Sequence, residues 1–375
     1  MTISLLPDSP GAAAACDRLE AYLRATGWLG YDPYDALKSP PLAWVANRSR
    51  LAGQVATAAV RLSPVNLRPA LGVRRSRNAK GTALLAVASR KRAATTGDVH
   101  HIARAERLTK ELEDKAVPTG NGAGWGYDFP WANRSFVAPA GTPNAVVTCF
   151  VLDALAAGGP SRAGLVTAGI RFLRDGLRWG WAGAGATVSY TPGDRREVLN
   201  VEALVARQLI LRGSEDDREH GISLVRRVLE LQNGDGSWPY GTASNDGFID
   251  AYHTGFVLRS LADIEKRVAI GGLSEAVARG LGYFETVLID PDGAARAGPG
   301  RRYPLDVHAW AEAVLAAKQF KRPWLARTLL WGIANLQQPD GAFAYQMRRR
   351  TTLRTPYLRW NQAWAYLALA DALES

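Results

Sequence analysis

The stretch LQNGDGSWPYGTASNDGFIDAYHTGFVLRSL, residues 231–261, decides the fold. It predicts the end of one helix, a tight turn at Asp235-Gly236, a polar loop, and a second helix beginning at Asp250. The same order of features recurs along the chain, and neighbouring starts of the second helix lie 56, 50, 56 and 55 residues apart. A near-constant period is typical of a repeat architecture. The predicted starts are Asn144, Asn200, Asp250, Asp306 and Asn361.

Two kinds of helix alternate in these repeats. Amphipathic segments such as SRAGLVTAGIRFLRDGL (161–177) precede or follow segments that are apolar nearly all round, such as NAVVTCFVLDALAA (144–157). A helix that is apolar on every side is buried on every side. With a further helix starting at Asn78, the pattern predicts six inner and six outer helices. We therefore expect an all-α (α/α)6 toroid, one domain over residues 1–375.

The short aromatic stretches VSYTP (188–192) and AFAYQ (342–346) are predicted to form small hairpins at one mouth of the toroid. Nearer the N-terminus, residues 42–62 are predicted as one helix. Inner helices that run parallel bring their N-termini to the same opening. Residues far apart in sequence are therefore expected to surround one site.

Each Asn or Asp at these starts has a plain structural interpretation, because these residues are preferred helix N-caps. Capping does not explain Glu202, Tyr252, His253 and His308, which fall in the first turns of three inner helices. Long polar side chains there need a hydrogen-bond partner or a cavity. The histidines are either core residues bonded to a neighbour or catalytic bases facing the mouth.

The loops that lead to the inner helices are basic and aromatic. They form either a solvated rim or a positively charged mouth that binds carboxylate or phosphate. Flat rings beside cations suit sugar faces, but they also suit packing at helix ends. The basic residues are Arg134, Arg195, Arg196, Arg301, Arg302, Arg348, Arg349, Arg350, Arg354 and Arg359. The aromatic residues proposed to bind substrate are Trp131, Trp238, Tyr240 and Trp360.

Composition limits the classes of partner that we expect this protein to bind. The formal net charge is +11, which suggests nucleic acid, anionic lipid or an acidic glycan. No nucleic-acid-binding motif is visible, so we expect no nucleic-acid partner. The two cysteines do not indicate a disulfide framework, and neither a signal peptide nor an apolar run long enough for a membrane span is visible. We expect a cytoplasmic protein, with a peripheral position at the inner membrane face as a further option.

No cofactor is predicted. Asp250, His253, Asp306 and His308 together offer a weak set of metal ligands, without the dense His and Cys spacing of a metal motif. The glycine-rich stretches lack the Lys-Ser/Thr that a phosphate-binding loop needs, and no G-x-S-x-G sequence occurs.

Two turns resemble the Q-W repeats of triterpene cyclases, whose toroid is shared by prenyltransferase β-subunits. They are Gln232-x-x-Asp235-Gly236 and Gln337-x-x-Asp340-Gly341. Similar turns occur in α/α-toroid polysaccharide lyases, so the motif marks architecture more than reaction. The Asp-x-Asp-Asp acid of the cyclases is missing, as is the zinc pattern of the prenyltransferases.

A second resemblance covers most of the chain and is to the VpsJ-type bacterial polysaccharide-biosynthesis proteins. It implies a role in making or modifying an exported glycan, and it carries no catalytic residue over. The matching segments are GYDPYDALKSP (30–40), VNLRPALGV (65–73), NAKGTALLA (78–86), GWGYDFPW (124–131) and GTPNAVVTCFVLDAL (141–155).

These observations lead to a hypothesis of exopolysaccharide biosynthesis, with lyase- or epimerase-like chemistry on an acidic sugar. His253 or His308 would act as base and Tyr252 as acid, near Asp250 and Asp306. Two other classes stay open: an enzyme acting on an isoprenoid, and a non-catalytic glycan- or lipid-carrier-binding component of membrane-surface biosynthesis machinery. The residues predicted to bind or neutralise the substrate, besides the aromatic ones, are Asn144, Asn200, Glu202, Asn361, Arg302, Arg354 and Arg359.

Overall fold

A computed structural model of the chain describes residues 10–120, 122–132 and 137–374. Arg134 of the predicted basic loops lies outside these residues. The described chain forms fourteen α-helices. In order they are α1 (Pro10–Ala25), α2 (Pro40–Arg48), α3 (Arg50–Leu62), α4 (Ala79–Thr96), α5 (Val99–Asp114), α6 (Ala145–Ala157), α7 (Ala163–Arg171), α8 (Leu199–Arg212), α9 (Glu215–Glu230), α10 (Ala251–Glu265), α11 (Leu273–Tyr283), α12 (Val307–Gln319), α13 (Leu325–Leu336) and α14 (Ala363–Leu373).

Six of these helices form a closed inner ring. Helices α4, α6, α8, α10, α12 and α14 pack on one another in this order, and α14 packs on α4. Five outer helices, α5, α7, α9, α11 and α13, each pack on the inner helix before them, while α1 packs on α14. The predicted (α/α)6 toroid is confirmed. No helix within the described ranges combines the length and apolarity that crossing a membrane requires.

Four inner helices begin with the caps that the sequence suggests. Asn78, Asn144, Asp250 and Asp306 each accept a hydrogen bond from a backbone N–H in the first turn of their helix. Such a bond satisfies one of the amides that a helix start leaves unpaired. These four residues therefore mark one end of the ring.

Two predicted helix starts are wrong. Helix α8 begins at Leu199, so Asn200 lies inside its first turn rather than capping it. Asn361 lies within a π-helical turn (358–362) that leads into α14. Its Nδ2 donates to the carbonyl oxygens of Phe343 and Thr355, at 3.0 and 3.1 Å. Asn361 therefore holds the preceding loop and is itself fully buried.

Short antiparallel strands occupy the connections from an outer helix to the next inner helix, so they lie at the end where the inner helices begin. VSYTP and AFAYQ contribute only Val188 and Gln346 to these strands. The pairs are β1 (Val117–Thr119) with β2 (Gly122–Gly124), β3 (Trp131–Ala132) with β4 (Val137–Ala138), β5 (Trp179–Ala182) with β6 (Gly185–Val188), and β8 (Gln346–Met347) with both β7 (Leu305–Asp306) and β9 (Thr352–Leu353).

Residues 42–62 form a helical hairpin rather than the single predicted helix. Helix α2 ends at Arg48, and Ser49 adopts an extended conformation. The Ser49 side chain accepts a hydrogen bond from the N–H of Ala52 and so begins α3 as its cap. The hairpin is additional to the twelve helices of the toroid.

The Gln-x-x-Asp-Gly turns connect one repeat to the next outer helix. The Gln232 amide donates to the carbonyls of Gly236 and Ala276, at 3.0 and 2.8 Å. Gly236 has a φ of +91°, a conformation that favours glycine. The Gln337 amide makes the equivalent bond to Ala15 in α1 at 2.8 Å. Helix α1 therefore takes the place of the next outer helix for the turn at Gln337.

Tryptophan rings fill spaces left by outer-helix glycines. The indole N–H of Trp238 donates to the Val228 carbonyl at 2.9 Å, and its ring lies against Gly280 of α11. A Cβ on Gly280 would lie 2.2 Å from the Trp238 ring. Trp310 packs on Gly332 of α13 in the same way. The contact with Gly280 therefore makes Trp238 part of the packing between helices.

The inner ring also buries an acid. Glu202 of α8 is fully buried, and this burial, with Glu197 nearby, raises the pKa of Glu202 to about 9. It is therefore protonated at neutral pH. Glu202 was predicted to bind substrate at the mouth, but the structure buries it in the core between the helices beside the mouth.

Replacing Gly280 with Ala is expected to lower the free energy of unfolding by about 1–3 kcal/mol, because the new methyl group overlaps the Trp238 ring. Gly282→Ala is the matched control on the same helix, since a Cβ there has no atom within 4 Å. Chemical denaturation of both variants measures the difference. Equal stability of the two variants would contradict the packing described.

Replacing Glu202 with Gln is expected to stabilise the protein increasingly as pH rises from about 4.5 to 9. The pKa of Glu202 is higher in the folded than in the unfolded chain, so its contribution to stability is greatest at low pH and declines over this range. Melting temperatures at pH 5 and pH 8 test this. Glu219→Gln, on the exposed side of α9, should show no such trend.

Candidate functional site

The mouth formed by the inner-helix N-termini contains an open cavity of about 430 Å³. Its wall is mixed, with aromatic rings, two histidines and three basic side chains. The predicted site residues that line it are Trp131, Asn200, Tyr240, Tyr252, His253, His308, Arg359 and Trp360. The cavity lining also includes Arg196 of the predicted basic loops, and Tyr34, Lys80 and Asp246, which were not singled out from the sequence.

His253 and Asp250 form a hydrogen-bonded pair at this wall. One Asp250 oxygen accepts from the His253 backbone N–H at 2.9 Å, and the other lies 2.7 Å from the His253 Nδ1. An ionised carboxylate only accepts, so Nδ1 carries the proton and donates it. The second nitrogen, Nε2, is then the basic one. A carboxylate that orients a histidine in this way is a common arrangement for a general base.

His308 is buried between two flat rings. Tyr252 stacks on one side at 4.7 Å between centroids, and Trp364 stacks on the other at 4.6 Å. Neither imidazole nitrogen has a hydrogen-bond partner among the described residues. Burial, with Lys80 and Arg359 nearby, holds the pKa of His308 well below its usual range. The ring is therefore neutral, with one donor and one acceptor nitrogen unused.

Tyr252 links the two histidines. Its ring centroid lies 4.0 Å from that of His253 and 4.7 Å from that of His308. Burial, with Asp250 nearby, raises the pKa of the Tyr252 phenol well above its usual value. The phenol stays protonated and remains a hydrogen-bond donor at the cavity wall.

Asp306 contacts the backbone of His308 and not its ring. One of its oxygens accepts from the His308 backbone N–H and from the Trp360 indole, at 2.8 and 2.9 Å. The other accepts from Gln346 at 2.7 Å. Burial raises the pKa of Asp306 to about 6. Asp306 therefore positions Trp360 and the helix start rather than the imidazole.

The two arginines of the cavity wall are both ion-paired. Arg359 forms a two-point contact with Asp32, at 2.6 and 2.8 Å, and Arg196 contacts Asp246 at 2.7 Å. The side-chain oxygen of Asn200, another lining residue, is buried without a hydrogen-bond partner among the described residues. The arginines thus bring charge to the wall, while Asn200 leaves an acceptor unused.

Lys80 differs from these arginines because no described carboxylate lies within 4 Å of its amine. It is only 3% exposed, in the first turn of α4. Its Nζ lies 4.2, 5.1 and 5.3 Å from the ring centroids of Phe150, Phe256 and Trp364. Burial, with Arg359 nearby, holds the pKa of Lys80 well below its usual range. A lone lysine in the apolar run NAKGTALLA was the sequence signal for it.

Several predicted binding residues lie away from the cavity. Asn144 caps α6, Trp238 packs against Gly280, and Arg302 pairs with Asp290 and Asp292 of its own loop. Arg354 is exposed in the loop after β9, where its carbonyl accepts from Gln338.

A metal site receives no support from the geometry. Within the ranges that the structure describes, no three or more His, Cys, Asp or Glu side chains come together as a metal-binding group. Asp250 and Asp306 direct their oxygens to the hydrogen bonds described above.

Known proteins resemble this chain in structure and not in sequence. No protein-family model matches it, and no curated protein does. A UGL variant described with dGlcA-Glc-Rha-Glc is 14% identical with a TM-score of 0.61, over 96% of this chain and 95% of that one. A GH76 alpha-mannanase from Bacteroides thetaiotaomicron is 12% identical with a TM-score of 0.60, over 81% and 88%. A sugar epimerase from a ruminal bacterium is 11% identical with a TM-score of 0.56, over 80% and 89%. At these identities the similarity establishes a shared α/α-toroid fold.

Proposed function

We propose that this protein is a carbohydrate-active enzyme that moves a proton at a carbon next to the carboxylate of an acidic sugar, in an epimerisation or an elimination. The observation that carries the proposal is the Asp250–His253 pair, which shares a polar, aromatic-lined cavity with the neutral His308. The aromatic rings of the cavity wall suit stacking against the faces of a sugar.

Proton abstraction at such a carbon needs a base, and the base must be correctly oriented. His253 fills this role, since Asp250 fixes its Nδ1–H and leaves Nε2 as the acceptor. The Asp250 carboxylate also stabilises the imidazolium that forms when Nε2 takes the proton.

The reaction also needs a proton donor on another side of the substrate. Tyr252 keeps its phenol proton at neutral pH and contacts both histidines, whereas the neutral His308 can only donate a hydrogen bond. In an epimerisation the Tyr252 phenol would return a proton to the opposite face of the carbon. In an elimination it would protonate the leaving oxygen.

The negative charge that develops on the substrate carboxylate must be stabilised. Lys80 suits this role, because it reaches the cavity from a helix N-terminus without an ion-pair partner of its own. Arg302, the basic residue first predicted for this role, is occupied by Asp290 and Asp292. A substrate carboxylate would supply the anion that the Lys80 amine lacks.

Other proteins with this fold favour a sugar substrate. They include a D-mannose isomerase, a sugar epimerase and a polysaccharide lyase. The sequence resemblance to VpsJ-type proteins adds the proposal that the sugar belongs to an exported polysaccharide or its precursor.

Two other reaction classes fit the cavity less well. Hydrolysis by paired carboxylates needs two acids across the substrate, but Asp246, the one acid among the described lining residues, is held by Arg196, and Asp250 is held by His253. An isoprenoid substrate needs a largely apolar cavity, whereas this one contains three basic side chains and two histidines.

Replacing His253 with Gln is expected to lower the reaction rate by about 10²–10⁴-fold, the usual contribution of a general base. Deuterium incorporation from D₂O into uronate oligosaccharides measures abstraction directly by NMR, and ultraviolet absorbance detects an unsaturated product. Trp238→Phe is the control, since Trp238 packs against Gly280 and is not among the residues that line the cavity. A folded His253→Gln variant with full exchange would remove His253 from the mechanism. Binding without exchange by the wild type would indicate a non-catalytic glycan-binding protein.

Replacing Lys80 with Met is expected to weaken binding of uronate oligosaccharides about 10- to 100-fold and to leave binding of neutral oligosaccharides unchanged, because a charged hydrogen bond contributes about 1.5–3 kcal/mol. In the wild type, affinity for uronates should fall as pH rises through the lowered pKa of Lys80, because only the protonated amine pairs with a carboxylate.

Isothermal calorimetry compares the two ligand classes. Lys91→Met, on the same helix, is the matched control, since Lys91 pairs with Asp371 away from the mouth cavity. An equal loss of affinity for acidic and neutral ligands would show that Lys80 supports the structure of the cavity and does not recognise the charge of the ligand.

A further inference from the structure

The hairpin α2–α3 exposes a row of apolar side chains. Leu51, Val55 and Leu62 of α3 are 70%, 60% and 36% exposed, and Trp44 of α2 is 58% exposed. Leu51 and Val55 are four residues apart and Leu62 seven further on, so they follow one face of the helix. A contiguous exposed apolar face of this kind marks an interaction surface.

The same part of the chain has one sign of charge. Between Asp35 and Asp98 there is no acidic residue, but there are twelve lysines and arginines. The formal net charge of the whole protein is +11, so all other residues together contribute −1 (11 − 12). Six of the twelve cations form ion pairs with acids in the described part of the chain, so the positive surface of this segment comes from its exposed arginines, Arg48, Arg50, Arg74 and Arg75.

Two of these cations adjoin the exposed apolar residues, and two more are exposed in the loop after the hairpin. The Arg48 guanidinium lies 3.5 Å from the ring centroid of Trp44. Arg50, immediately before Leu51, is exposed, as are Arg74 and Arg75 in the loop after the hairpin. Exposed aliphatic and indole side chains beside arginines are the composition of helices that lie in a membrane interface.

We propose that the α2–α3 hairpin docks this protein onto the surface of an anionic phospholipid bilayer. Leu51, Val55 and Trp44 would enter the headgroup region, while the arginines contact lipid phosphates. Each Lys or Arg near an anionic leaflet adds about 1 kcal/mol of attraction. The one-signed charge favours this partner over a second copy of the chain, which would bring two positive surfaces together.

Docking would also orient the cavity. Gln54 lies on α3 between Leu51 and Val55, and it lines the mouth cavity. A docked hairpin therefore brings the mouth close to the headgroups. A sugar attached to a membrane lipid could then reach the cavity without leaving the bilayer. The docking itself does not depend on the reaction proposed above.

Vesicle flotation tests the proposal. The full-length protein is expected to float with vesicles that contain phosphatidylglycerol and not with pure phosphatidylcholine vesicles, and binding should weaken with added salt. The double variant Leu51→Ser/Val55→Ser should reduce the bound fraction at least several-fold and leave the melting temperature unchanged, because both side chains are exposed.

The matched control is Val99→Ser/Ile102→Ser on α5, whose side chains are 67% and 50% exposed. This variant should float like the wild type. Three results would each overturn the proposal: no binding of the wild type to anionic vesicles, undiminished binding of the α3 variant, or equal losses in both variants. A concentration-dependent dimer that only the α3 substitutions dissociate would assign the surface to a second copy instead.

Discussion

The buried pair between Arg359 and Asp32 connects the π-helical turn before the last inner helix to a loop near the N-terminus, 327 residues away. Both side chains are almost fully buried, so removing either would leave an uncompensated charge, at a cost of about 3–5 kcal/mol. The Arg359 guanidinium also lies 4.9 Å from the ring centroid of Tyr127 at the cavity wall. The contact that helps to close the ring therefore also shapes the cavity, and the arrangement of cavity residues depends on the ring being complete.

Sequence periodicity predicted the toroid because the distribution of apolar residues in each helix shows whether that helix belongs to the inner or the outer ring. An apolar helix such as α6 can be stable only inside the ring, and an amphipathic one such as α9 only outside it. The caps Asn144, Asp250 and Asp306 were predicted correctly, since an N-cap is a local interaction between residues two or three positions apart. The predicted starts at Asn200 and Asn361 are wrong because α8 begins one residue earlier, at Leu199, and the Asn361 amide bonds to Phe343 and Thr355 of the preceding loop instead of capping a helix.

Only part of the candidate site could be predicted, because the sequence shows contacts between neighbouring residues and not those between distant parts of the chain. His253 could be placed with Asp250 because residues three positions apart at a helix start lie on the same face. Arg302 has its carboxylate partners in its own loop, while Trp238 fits a space that a glycine 42 residues later leaves open. Lys80 carried a visible signal, a cation inside an apolar helix. Only the folded ring shows that three aromatic rings, from three other helices, surround it.

The use of α1 as the outer helix beside α14 has a consequence for how the chain can be connected. Trp28, just after α1, packs on Tyr366 near the start of α14, so the two helices run antiparallel and α1 begins beside the end of α14. No peptide bond holds this seam together. The ring can close only when the two ends of a long chain meet, a contact of very high sequence separation that slows folding. A circular permutant, with the ends joined and a new opening at the turn between α10 and α11, would move the seam to another repeat without changing a single inner-ring contact.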